Sequence, residues 1–252
     1  GILRISFVNY DGYSNNNVIQ SGVWQHLVVT RENNIVKAYV NALEVLSFSN
    51  FEDLTSSDTL EIGHDPGYSS WFDGDIDNVS IWNTALSAAE ITQHMSCPPI
   101  GIESGLVGYW NFETGSGNTA YDQTSNGNNG TLMNGPTWSN NTPLQSCSLT
   151  NATGCDSTAI LNLTINQGDT SYTNITACDS VVWNGTTYTQ SGTYSTNIGS
   201  NNNYSMSFDG VDDEVNVGDI DLANNFTIIS HIKPNYSSWG SGSNNNMIVG
   251  KG

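Results

Sequence analysis

The chain has 252 residues, of which 24 are acidic and 5 basic. A net charge of −19 repels phosphate backbones, which excludes nucleic-acid binding, and it attracts cations, calcium in particular. Only 12% of residues are charged and Gly, Asn, Ser and Thr are abundant, which suits short strands joined by polar turns and argues against long amphipathic helices; no apolar run approaches the roughly 20 residues of a membrane-spanning helix.

The first strand is expected over residues 2–8, the second over 24–30 and the third over 35–41. Glu32-Asn33-Asn34 between the last two predicts a hairpin. Residues 60–63 form a fourth candidate. Residues 71–82 form the next, where β-branched Ile76, Val79 and Ile81 precede aromatic Trp82. Ser87 followed three residues later by Glu90 is the capping-box pattern, so a short helix should run from about residue 88 towards 95. Residues 105–112 read as another strand, and 121–131 as a chain of turn residues.

Cys97, Cys147, Cys155 and Cys178 fit no zinc-binding spacing. Two disulfides, and hence an oxidising compartment, are the expectation; free thiols are the alternative. Three pairings exist, and Cys97–Cys147 with Cys155–Cys178 is favoured because each pair brackets one segment. Between residues 148 and 202, Cys155-Asp156-Ser157 recurs as Cys178-Asp179-Ser180, and Asn184-Gly185 signals a two-residue hairpin. So thin a core calls for disulfide support. Strands follow within 205–217, 226–234 and 247–252.

The order of four motifs carries a family likeness. Trp24-Gln25-His26-Leu27-Val28-Val29-Thr30, then Ala38-Tyr39-Val40-Asn41, then Leu60-Glu61-Ile62-Gly63, then the run WFDGDIDNVSIWNTALSAAEI from Trp71 resemble the closing half of laminin-G-like, concanavalin A-like jelly-roll modules. Ala42 stands where that family has Gly, which puts the turn after Asn41 in question, since Gly tolerates positive φ and Ala does not. Residues 205–217 (SMSFDGVDDEVNV), 226–234 (FTIISHIKP) and 247–252 (MIVGKG) resemble the opening of such a module, with His231 where Trp is common. Residues 105–131 resemble segments found beside these modules in secreted bacterial proteins, and the Cys-Asp-Ser repeat resembles linkers of large bacterial surface proteins.

The resemblance implies an all-β fold: an antiparallel jelly-roll β-sandwich of concanavalin A-like type, plus a small disulfide-supported β repeat. Residues 1–96 would be the C-terminal part of one sandwich, 97–147 a disulfide-bracketed β appendix, 148–202 the Cys-Asp-Ser repeat and linker, and 203–252 the N-terminal part of a second sandwich. Residue 1 is Gly and no signal peptide is visible, so the sequence reads as a piece of something longer. Two arrangements are open. The tail strands close onto the head strands in permuted order, or two half-sandwiches remain with open edges.

The same resemblance implies glycan binding. Trp71, Tyr68, Tyr13 and Trp239 lie in Gly/Ser/Asn-rich loops and are the candidate sugar-stacking residues; the alternative is that they cover the sandwich edge. Trp24, Trp82 and Trp110 alternate with apolar neighbours and read as core. Asp209, Asp212 and Asp77 are the candidate calcium ligands, from two acidic clusters that also include Asp213, Asp73 and Asp75; turn formation is the competing role. Asp73, Asp75 and Asp77 share one face of a regular strand, as glucanase carboxylates do, but every member is Asp and Gly74 interrupts them, so an enzyme is not expected. His26 reads as structural and His94 as a surface residue. The expected function is a secreted or cell-surface carbohydrate-binding or adhesion module in a tandem array. Its partners would be glycans, matrix polymers and neighbouring modules. A structural spacer without tight ligand is the alternative, and a glycoside hydrolase the minor one.

Overall fold

The computed structural model describes residues 1–7, 10–50, 59–65, 70–145, 149–150, 156–157, 161–163, 181–183, 186–188, 192–194, 202–220, 222, 224–235 and 248–251. Its first strands are β1 Arg4–Phe7, β2 Tyr10–Tyr13, β3 Gln25–Glu32, β4 Ile35–Val40, β5 Leu43–Ser49, β6 Leu60–Ile62, β7 His64–Asp65, β8 Ser70–Trp71 and β9 Asp73–Trp82. Helix α1, Ala88–Ser96, follows. Next come β10 Leu106–Trp110, β11 Thr119–Ala120, β12 Gly130–Met133 and β13 Thr137–Ser139. The short strands β14 Leu149–Thr150, β15 Asp156–Ser157, β16 Leu161–Leu163, β17 Val181–Trp183, β18 Thr186–Tyr188 and β19 Gly192–Tyr194 precede the tail. The tail holds β20 Ser205–Asp209, β21 Glu214–Asn216, β22 Phe226–Pro234 and β23 Val249–Lys251.

Residues 1–145 and 202–252 form one compact unit. Its larger sheet runs β13-β20-β9-β22-β3-β4-β5, with β10 also on β9, and the facing sheet runs β11-β12-β21-β6-β23. All pairs are antiparallel. One apolar cluster joins the sheets, with Ile76, Val79, Met206, Phe208 and Ile232 from the larger and Leu60, Ile62 and Val215 from the smaller. The fold is therefore the expected antiparallel sandwich, and the open question of closure is decided. Tail strand β22 lies between head strands β3 and β9, with Ile229 opposite Val28 on one side and Ser80 on the other. Residues 97–145 supply β10 to the larger sheet's β9, β13 to its edge, and β11 and β12 to the smaller sheet, so they belong to the same two layers.

Strand β9 organises the larger sheet. One edge pairs with β22 along its length; the other pairs first with β20, then with β10. Nine of its ten residues are buried, because one face enters the intersheet core and the other is covered by α1 at Trp82 and by Asn141 at Asp75. The predicted capping box is present: Ser87 N–H donates to Glu90 Oε2 at 2.7 Å, and Glu90 N–H donates to Ser87 Oγ at 3.4 Å. Leu86 and Ile91 seat the helix on Val28, Trp82 and Ile229. His94, expected at the surface, is buried against Trp82 with ring centroids 5.2 Å apart. It lies three residues after Ile91 and so shares the helix's apolar face. Trp82 and Trp110 are core residues, and Trp24 is half-buried.

The β3–β4 hairpin turns on Asn33 and Asn34, both at positive φ, as a primed two-residue turn needs. Asn41-Ala42 makes a second such turn into β5, and Ala42 adopts φ 62 although it carries a Cβ. Residues 146–201 form the other unit, in which β14 pairs with β15, β16 with β19, and β17 with β18. Trp183 stands opposite Thr186, the register expected of an Asn184-Gly185 hairpin. The expected cysteine pairings involve residues outside those described.

Candidate functional site

Strand periodicity sets the outer face of the smaller sheet. Leu60 and Ile62 point into the core, so Glu61 points out; Val215 points in, so Glu214 points out on the neighbouring strand. Gly63, at φ 89, then turns the chain. A Cβ there would lie 2.4 Å from the Phe208 ring. The turn delivers His64, whose Nδ1 lies 2.7 Å from Glu61 Oε2 and 2.8 Å from Glu214 Oε2. The three side chains are only 10–14% exposed. Thr59 Oγ1 donates to the other oxygen of Glu61 at 3.3 Å. The β7–β8 hairpin sets Trp71 opposite His64, and the two rings stack at 5.0 Å with planes 10° apart. Burial pushes the Glu214 carboxyl up, the nearby Glu61 charge adds to this, and His64 opposes both.

Asp209, Asp212 and Asp213 form a second cluster at the β20–β21 turn. Two of these carboxylates shape the turn itself. Asp209 N–H donates to Asp213 Oδ2 at 2.9 Å, and Val211 N–H donates to Asp209 Oδ1 at 2.8 Å. Burial, then the charges of Asp209 and Asp212, push the Asp213 carboxyl up, against the Asp209 N–H. Asp77, grouped with Asp209 and Asp212 from sequence, is not brought to them. The residue opposite Asp209 is Asp73, and Asp77 lies four residues further along β9, about 13 Å at strand rise.

Two of the three alternating aspartates of β9 each accept a hydrogen bond from an asparagine of a later segment. Asn235 Nδ2 donates to Asp73 Oδ1 at 2.6 Å and Asn141 Nδ2 donates to Asp75 Oδ2, whereas Asn202 Nδ2 donates to the Pro143 carbonyl at 3.1 Å and Asp77 Oδ2 has no hydrogen-bond partner among the described residues. Asp77 is fully buried, which drives its carboxyl well above the ordinary range; its Oδ1 accepts from Asn78 N–H at 2.7 Å. Burial likewise raises the phenol of Tyr109, which donates to Asn78 Oδ1 at 2.6 Å.

Of the four aromatic candidates, Trp71 is half-buried over His64 and Tyr13 is 58% exposed on the separate β1–β2 hairpin. Tyr68 and Trp239 lie outside the described residues.

Residues 4–92 match the laminin-G model of the concanavalin A-like lectin/glucanases superfamily. That segment is similar to this family over 89 of the 252 residues. No curated protein and no solved structure matches the chain. The matched segment contains Trp71, Glu61, His64 and the three β9 aspartates, whereas Glu214 and Asn235, which holds Asp73, come from residues 202–252. Sequence reading missed the Glu61–His64–Glu214 cluster. An acidic residue inside the apolar run Leu60-Glu61-Ile62 was a signal for one member, but Glu214 joins it only through the β6–β21 pairing.

Proposed function

We propose that the protein is a non-catalytic, extracellular carbohydrate-binding module of a tandem array, and that Trp71 is its sugar-stacking residue. The observation that carries this reading is the half-buried Trp71 ring held parallel to His64 beside the Glu61 and Glu214 carboxylates. An indole face stacks on the apolar face of a pyranose, and neighbouring carboxylates accept its hydroxyls. The superfamily spans lectins and glucanases. A binding role is favoured because Asp73 and Asp75 of β9 hold asparagine side chains of the same unit and Asp77 is fully buried, out of reach of a substrate.

The test is a glycan array run on the intact chain, with and without calcium. Saturable binding that falls at least tenfold in Trp71→Ala, while the melting temperature stays close to that of the parent, supports the reading. Silence on the array assigns the protein to the spacer class, and release of reducing sugar assigns it to the hydrolases. The calcium arm addresses Asp209 and Asp212: dependence on calcium that Asp209→Asn removes supports an ion there.

A further inference from the structure

The geometry points to a divalent transition-metal site, of the zinc class, formed by Glu61, His64 and Glu214. It goes beyond the glycan reading and does not depend on it. The donor set is one imidazole nitrogen and two carboxylate oxygens, supplied by adjacent strands β6 and β21 and the turn after Gly63. These three atoms lie within 4.8 Å of one another.

The argument is one of proton supply. Both Glu61 Oε2 and Glu214 Oε2 converge on the same nitrogen, His64 Nδ1, at 2.7 and 2.8 Å. A single N–H can donate squarely to one oxygen only, and the Nε2–H tautomer would aim three lone pairs at one point. The cluster is largely screened from water, where carboxylates close to each other repel strongly. A cation at that point satisfies all three donors at once. With tetrahedral metal–ligand bonds of about 2.0–2.2 Å, adjacent ligand atoms stand roughly 3.3–3.6 Å apart, so the 2.7 and 2.8 Å separations open by about 0.5–0.9 Å, shared between the side chains.

The supporting groups are those that hold ligands in place. Thr59 Oγ1 fixes the distal oxygen of Glu61, and Trp71 stacked on His64 fixes the imidazole plane. The chemistry selects the metal. An imidazole among the donors and only two carboxylates favour Zn²⁺ over Ca²⁺, which takes six to eight oxygens. Three protein ligands leave a position for water or for an incoming hydroxyl.

The experiment is isothermal titration of ZnCl₂ into the full chain after chelator treatment, with Co²⁺ as an absorbing substitute. One equivalent of saturable Zn²⁺ is expected. His64→Asn and Glu214→Gln should each weaken it at least tenfold, and Thr59→Val by about 10–100-fold. Asp209→Asn should leave it unchanged, and circular dichroism checks that every variant is folded. Absence of saturable binding overturns the proposal. So does binding that survives both His64→Asn and Glu214→Gln, or a His64 imidazole whose ¹⁵N shifts do not move when Zn²⁺ is added, the result a simple imidazolium–carboxylate triad would give. No sugar is present in any arm, so the outcome stands whether or not the glycan reading holds.

Discussion

Ala42 holds φ 62 in the two-residue turn between β4 and β5. A Cβ in the left-handed region costs about 1–2 kcal/mol, and glycine at the same position carries no such strain. Ala42→Gly should therefore raise unfolding stability by about 1 kcal/mol, after allowing for the greater freedom of Gly in the unfolded chain. Urea unfolding measures it, and an unchanged or lower midpoint would count against strain at this turn. The neighbouring turn shows why some residues were readable in advance. Asn33 and Asn34 tolerate positive φ, and their turn connects two strands adjacent in sequence. The same locality made Ser87 and Glu90 readable, since each satisfies the other's backbone within one helical turn. Glu214 is different. Nothing within a dozen residues of it announces a partner, because Glu61 and His64 reach it only after tail and head strands have paired.

Helix α1 covers a face of the larger sheet that holds two buried histidines. His26 on β3 and His231 on β22 are opposite each other, with ring centroids 4.9 Å apart. His231 Nε2 lies 3.2 Å from the Met95 carbonyl, while neither ring nitrogen of His26 has a hydrogen-bond partner among the described residues. Asp77 faces His231 in register on β9. Burial lowers His231 to about 4, against the Met95 carbonyl; burial first, then the charges of His231 and His94, lower His26 to about 2. Both folded-state values lie below the ordinary 6.5, so both rings are neutral in the fold and take up protons more readily once unfolded. Their contribution is complete above about pH 6.5 and is lost as pH falls, through about 4 for His231 and lower for His26. His231→Gln keeps a donor for the Met95 carbonyl and removes the titration. It should reduce the loss of stability between pH 6.5 and 4 by on the order of 3 kcal/mol, read from urea midpoints at several pH values. An acid profile identical to that of the parent would show that the fold admits the protonated ring. The sequence hid this arrangement for a physical reason: His26, His94 and His231 come from three elements, and only the packing of α1 on the sheet gathers them.

At the scale of the molecule, tail and head are two parts of one hydrophobic core. Met206, Phe208, Val215, Phe226, Ile229 and Ile232 are all buried. Each is worth about 1.5–3 kcal/mol of transfer free energy, an upper estimate for a chain whose unfolded state is partly compact. Without them, β3 and β9 each lose the neighbour between them and expose an open edge. A fragment of residues 1–145 should accordingly aggregate or unfold without cooperativity, and addition of a 202–252 fragment should restore a monomeric, cooperatively unfolding species. Size-exclusion chromatography with circular dichroism reads both, and cooperative unfolding of 1–145 alone would contradict it. The motif order signalled this closure, since opening-type strands at one end and closing-type strands at the other are complementary halves. What the motifs could not show was that β22 enters the middle of the sheet rather than an edge, because strand order depends on side-chain packing across about 140 residues of sequence.

That central place for β22 imposes a schedule on synthesis. At typical elongation rates of 5–20 residues per second, about 7–30 s separate the emergence of β9 from that of β22. During that interval β3 and β9 are both in existence, both apolar, and free to meet each other directly. A premature β3–β9 pairing would have to come apart before the late strand could enter. The nascent chain therefore passes through a window in which its most aggregation-prone surface is finished before the segment that protects it.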